Sequence, residues 1–86
     1  MKPVRIYTTR TCPYCVRAKR LLAKKNVLYQ EIDVSWDDAE RERLMQRTGR
    51  RTVPQIFIGE HHVGGSDDLH ALDQRGELDG LLGRRG

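Results

Sequence analysis

Val4-Arg5-Ile6-Tyr7-Thr8-Thr9-Arg10-Thr11-Cys12-Pro13-Tyr14-Cys15 is the stretch on which the fold turns. Residues 4–8 alternate and are rich in β-branched and aromatic side chains, which predicts a strand. Thr9-Arg10-Thr11 is a short connection. Pro13 then suits the first position of a helix, where its missing N–H costs nothing. That helix carries Ala18, Leu21 and Leu22 on one face, with Arg17, Lys19, Arg20 and Lys24 elsewhere, and it ends near Asn26. Leu28 to Val34 predicts a second strand. Leu28, Ile32 and Val34 face one way along it, and Tyr29, Glu31 and Asp33 the other. Strand, helix and strand in this order form a βαβ unit, which demands a parallel pair joined by a right-handed crossover.

Ser35 or Asp37 can cap a second helix rich in Glu and Arg, whose apolar members are Trp36, Ala39, Leu44 and Met45; Gly49 stops it. Gln55–Ile58 and His61–Gly64, on either side of Gly59-Glu60, predict a hairpin. Ser66-Asp67-Asp68 opens a third helix through Leu69 and Leu72, and Gly76 ends it. Leu78, Leu81 and Leu82 add a last turn before a frayed tail from Gly83 to Gly86. The hairpin adds an antiparallel pair to the parallel one. The expectation is an α/β domain spanning residues 1–86, with a mixed four-stranded sheet and helices on both faces.

The 86 residues suit one small domain with a thin core. Hydrophobic residues make up 37% and charged residues 33%, and no apolar run is long enough to span a bilayer. Met1-Lys2-Pro3 leads straight into strand-like sequence without the apolar core of a signal peptide, so a cytoplasmic location is expected. The formal net charge is +4, with the basic residues scattered along the chain. A nucleic-acid surface would interleave such residues with aromatics. One Trp, three Tyr and one Phe, none within a basic cluster, do not supply that. The charge better suits anionic small molecules or acidic partners.

Cys12 and Cys15 are the two cysteines. A bridge closing so short a loop stabilises little, because the entropy gained grows with loop length. Chemistry is the better reason for the pair. With Pro13 first in the helix, Cys12 is the N-cap, and its sulfur faces the free N–H groups of Tyr14 and Cys15. Those donors and the helix dipole favour a thiolate, and Arg10 can add a positive charge. Cys15 lies one turn on, on the same face, where it can resolve a bond formed at Cys12. A zinc site would need two more ligands from His61, His62 and His70, but neighbours on a strand point to opposite faces. Inert buried thiols fit poorly with Cys12 at a helix mouth. A Cys-x-x-Cys pair beside a βαβ pattern signals redox work.

Three stretches together resemble the signatures of the glutaredoxin family: Thr11-Cys12-Pro13-Tyr14-Cys15, Thr52-Val53-Pro54-Gln55-Ile56-Phe57-Ile58 and Gly64-Gly65-Ser66-Asp67-Asp68. They occur in the family's order and span nearly the whole chain, most like the short bacterial dithiol type. The resemblance implies a thioredoxin-like fold and glutathione-dependent thiol–disulfide exchange, with Cys12 as nucleophile and Cys15 resolving. It makes Tyr14 the aromatic that flanks glutathione, and Pro54 cis, although an X–Pro bond is trans about 95% of the time. It assigns the Val53 backbone to the cysteinyl unit of glutathione, in the manner of strand addition. Gly65, Ser66 and Asp67 would receive the γ-glutamyl end, through N–H groups for its carboxylate and the Asp67 side chain for its ammonium. Taken alone, Ser66-Asp67-Asp68 is equally a capped, dipole-matched helix start. The family often carries Lys where this chain has Thr9, which leaves Arg10 and Arg51 to meet the glycyl carboxylate.

Protein disulfides and glutathionylated proteins would be the substrates, with ribonucleotide reductase a candidate client. A monomer without metal is expected. Two other readings stay open: a donor reduced directly by thioredoxin reductase, and an iron–sulfur carrier. Family members of the second kind usually lack the second cysteine or have small residues in place of Pro-Tyr.

Overall fold

The computed structural model describes residues 1–84. Arg85 and Gly86 of the expected tail lie outside the described residues. The chain runs β1 (Val4–Thr8), α1 (Pro13–Lys24), β2 (Gln30–Asp33), α2 (Asp38–Thr48), β3 (Gln55–Ile58), β4 (His61–Gly64), α3 (Ser66–Gln74) and α4 (Leu78–Leu82). The strands form one sheet in the order β2-β1-β3-β4. β1 pairs parallel with β2 and antiparallel with β3, which pairs antiparallel with β4. The mixed four-stranded sheet is therefore as the sequence predicts.

Alternation along the two central strands sorts the core into two layers. Val4, Ile6, Ile56 and Ile58 face α1, α3 and α4, packing on Ala18, Leu21, Leu22, Leu69, Leu78 and Leu82. Tyr7 and Phe57 face the other way and pack with Val34 and with Leu44 of α2. Their rings meet edge to face, 5.8 Å between centroids. Helices thus cover both faces, three on one and one on the other. The α2 side is poor in apolar residues, and Arg47 and Arg5 place their guanidinium groups 4.5 and 5.3 Å from the Phe57 ring centre. Such cations both shield and attract an aromatic face.

Three local expectations are corrected. The second strand begins at Gln30, and Leu28 is 87% exposed, while Val27 is in the core at 4%. Asn26 leaves α1 with φ 58, and the Val27 N–H returns to the Leu22 carbonyl at 2.9 Å, so the apolar residue just past the helix end turns inward. Trp36 does not belong to α2; it precedes the Asp37 cap and is 83% exposed, and Ala39 is exposed too. Ser66 is the first helical residue of α3, with Gly65 as N-cap. The first of these corrections has a direct test by urea denaturation. Val27→Ala should cost about 1–3 kcal/mol, whereas Leu28→Ala should stay within about 0.5 kcal/mol of wild type.

Candidate active site

Because β1 and β2 are parallel and β3 antiparallel to β1, the loops at 9–12, 34–37 and 49–54 gather at one end of the sheet. Cys12 is the N-cap of α1, with extended backbone (φ −139°, ψ 99°), and Pro13 opens the helix. The Cys15 N–H donates to Cys12 Sγ at 3.1 Å. On its other side the Cys12 thiol donates to the Val53 carbonyl at 3.6 Å. Cys12 is half-buried, Cys15 is buried at 1%, and neither is in a disulfide.

The two thiols are therefore unequal. Burial, and then the thiol-to-thiol side-chain hydrogen bond with Cys12, push the Cys15 thiol up to about 12, against a smaller opposite pull from the Thr9 backbone. Cys15 stays protonated at neutral pH. A thiol raised in the folded state favours folding below its ordinary value, and loses that contribution as pH climbs from 9.0 toward about 12. Wild type should accordingly lose stability across that window more steeply than Cys15→Ala. The urea midpoint followed against pH reads the difference in slope, and equal slopes would contradict it.

Beside the thiols runs a groove of about 260 Å³, lined by Tyr14, Arg50, Thr52, Val53, Pro54, Gly65, Ser66, Asp67 and Asp68. The Val53–Pro54 bond is cis, as the resemblance implies. Asp68 Oδ2 accepts from the Gly65 N–H at 2.9 Å and from Arg50 Nη1 at 2.8 Å. The Gly65 N–H, then Arg50, hold its carboxyl below the usual carboxylate range. Asp67 carries no such duties and is exposed. Gly65 has no side chain to cap α3, and Asp68 takes the Gly65 N–H alone, which leaves the next N–H groups, at Ser66 and Asp67, at the groove wall without a side-chain acceptor among the described residues.

Seven of the eight expected glutathione contacts line this groove. The exception is Arg51, which lines a separate hollow with Asp38, Arg41, Glu42 and Met45; Arg50 takes the place beside Asp68. Arg10 is exposed, and its charge helps to lower the Asp33 carboxyl, after two larger contributions from Ser35. Among the described residues, no group of three or more His, Cys, Asp or Glu side chains could hold a metal ion. Sequence reasoning missed the support behind the loop. Gln55, fully buried, donates from Nε2 to the Thr52 carbonyl at 2.9 Å, so its oxygen is left to accept from His62 Nε2 at 2.7 Å. Burial, and then the Arg50 charge, shift His62 toward its neutral form. The only signal was a Gln inside a strand otherwise built of apolar residues.

A helix-mouth cysteine with a buried partner one turn on, at the end of a mixed sheet, is the arrangement of a thiol–disulfide oxidoreductase. The glutaredoxin family model matches residues 4–63, and the chain belongs to the glutaredoxin family. It is 57% identical over 82 residues to glutaredoxin 3 of Escherichia coli strain K12, covering 95% of this chain and 99% of that protein. The fold superposes on the crystal structure of the buckwheat glutaredoxin–glutathione complex with a TM-score of 0.90, at 35% identity, covering 95% of this chain and 77% of that one. The solution structure of glutaredoxin from Brucella melitensis matches with a TM-score of 0.86 at 51% identity, covering 100% of this chain and 96% of that one. The expected thioredoxin-like fold is thereby shown. Among the described residues, no helix is long and apolar enough to cross a membrane.

Proposed function

We propose that this protein, acting as one domain in the cytoplasm, uses glutathione to reduce glutathione–protein mixed disulfides and protein disulfides through Cys12. The observation that carries the reading is the placement of the Cys12 sulfur. It sits at the mouth of α1 and against Val53 in the groove wall, with Cys15 buried and protonated behind it.

With a glutathionylated protein, the Cys12 thiolate attacks the glutathione sulfur and the protein thiolate leaves. A second glutathione thiolate attacks the glutathionyl sulfur on Cys12, and oxidised glutathione departs. With a protein disulfide, Cys12 forms a mixed disulfide and the substrate's other sulfur leaves as a thiolate. Cys15 then gives up its proton, attacks the Cys12 sulfur and releases the substrate. Once Cys12 is in a disulfide it no longer bears a charge, so one of the causes that raise Cys15 disappears. Two glutathiones reduce the resulting Cys12–Cys15 bond.

Glutathione in the groove would pair its cysteinyl backbone with Val53 and lie against Tyr14, Thr52 and Pro54. Its γ-glutamyl carboxylate would meet the N–H groups at Ser66 and Asp67 in the first turn of α3, beside Gly65, and its ammonium the Asp67 carboxylate. The engagement of Asp68 with Gly65 and Arg50 supports Asp67 in that role. The test is a glutathionyl adduct on Cys12 of the Cys15→Ser protein, mapped by amide chemical shifts. Shifts centred on Val53 and residues 65–67 are expected. An adduct that perturbs the hollow around Arg51 and leaves the groove untouched would overturn the assignment.

A further inference from the structure

Cys15 must part with its proton before it can resolve a disulfide, and it must do so from a site that is 1% exposed. Lys19 lies one turn further along α1 on the same face, a spacing that puts the two Cβ atoms about 5–6 Å apart. A helical side chain leans over the turn before its own Cα, so Lys19 leans toward Cys15. Its head is held there. Lys19 Nζ donates to Glu31 Oε2 at 3.1 Å, and the two side chains are 30% and 38% exposed. The same carboxylate oxygen accepts from Thr8 Oγ1 at 2.8 Å, and Thr8 is buried at the end of β1. The next residue, Thr9, acts on the Cys15 sulfur through its backbone. One chain of contacts thus runs from α1 to β2 and on to the end of β1, and it pins the ammonium over the turn that Cys15 occupies.

The charges around this turn come from α1 and from the β2 side. Cys12 acts on Cys15 from the helix mouth, and Lys19 is the cation that acts on it. Glu31 and Tyr29 act on Lys19 and, with Glu31 first, keep it charged; Lys19 in turn acts on Asp33, as Arg10 does. Once Cys12 is tied up in a mixed disulfide its own charge is gone. Burial still opposes a thiolate at Cys15, and the Thr9 backbone and the Lys19 ammonium favour one. We propose that the Lys19 ammonium, held by Glu31 and Thr8, stabilises the Cys15 thiolate in the resolving step, and so serves the dithiol reaction alone. Lys19 is in this sense a positioning residue that acts through Cys15. This rests on the reading that Cys15 resolves bonds formed at Cys12.

The symmetrical disulfide of thionitrobenzoate separates the two steps. The Cys12 thiolate attacks one of its sulfurs, the S–S bond of the probe breaks, and a first thionitrobenzoate leaves as a thiolate. Cys15 then loses its proton to solvent and attacks the Cys12 sulfur. The second thionitrobenzoate leaves, and the Cys12–Cys15 bond remains. The first phase of absorbance quickens with probe concentration and the second does not. In Lys19→Met, which keeps the apolar stem, the second phase should slow about three- to tenfold at neutral pH, its rise with pH displaced upward by about half to one unit. The first phase should stay close to wild type, and Lys19→Arg should restore the second. Glu31→Gln breaks the ion pair but leaves the ammonium, so it should not slow the second phase. A second phase unchanged in Lys19→Met overturns the proposal, as does equal slowing of both phases. Glu31→Gln slowing the second phase as much as Lys19→Met overturns it too, because the pair is then only a clip between α1 and β2. If wild type releases the first thionitrobenzoate alone, the resolving role of Cys15 fails, and that of Lys19 with it. Glutathione takes no part in this assay, so its use by the protein stands or falls separately.

Discussion

Replacing Cys12 with Ser should abolish turnover of every disulfide substrate, whereas Cys15→Ser should keep removal of glutathione from proteins and lose the dithiol reduction of protein disulfides. The difference follows from position. Cys12 holds the N-cap place, accepts the Cys15 N–H and reaches the groove wall at Val53. Cys15 is 1% exposed and held protonated, so it can only follow a bond already formed at Cys12. Serine keeps the size and the capping acceptor at position 12 but has no sulfur to exchange. Coupled assays on one glutathionylated peptide and one protein disulfide read the effect directly. If Cys15→Ser is dead toward the glutathionylated peptide while Cys12→Ser works, the roles are reversed.

Gly64→Ala should damage the glutathione end of the site almost as severely, with both thiols intact. Gly64 has φ +117°, a conformation that residues bearing a Cβ rarely adopt. A Cβ there would also fall 2.9 Å from Asp68 Cγ and 3.1 Å from Arg50 Nη1. Asp68 cannot simply swing aside, because its carboxylate holds both the Gly65 N–H and Arg50. Backbone strain of about 1–3 kcal/mol and a displaced start of α3 should follow. The expected outcome is a rise of about tenfold or more in apparent KM for glutathione, roughly 1.4 kcal/mol, with a smaller change in the alkylation rate of Cys12. An unchanged KM would mean that the N-terminus of α3 does not hold the ligand.

Much of this was legible in the residues because local signals agreed with one another. Alternation in Val4–Thr8 marked the first strand, the turn at Gly59-Glu60 marked the hairpin, and Pro13 placed Cys12 at a helix mouth. What the sequence hid depended on the exact geometry of chain reversals. Nothing local tells Val27 from Leu28 until Asn26 takes a left-handed turn. Trp36 reads as an apolar member of the second helix because hydrophobicity alone cannot say on which side of the Asp37 cap it falls. Arg50 and Arg51 are adjacent and chemically identical, and only the path of the loop decides which one lines the groove. The tie from His62 through Gln55 to Thr52 joins two strands and a loop, and no periodicity announces such a contact.

Reliance on glutathione is the claim on which the account depends most, and NADPH oxidation with the mixed disulfide of glutathione and 2-mercaptoethanol tests it most directly. One arm supplies glutathione and glutathione reductase, the other thioredoxin reductase alone. The groove beside Cys12 predicts rapid oxidation in the first arm, absent with Cys12→Ser, and none above background in the second. Oxidation in the second arm with silence in the first would contradict it.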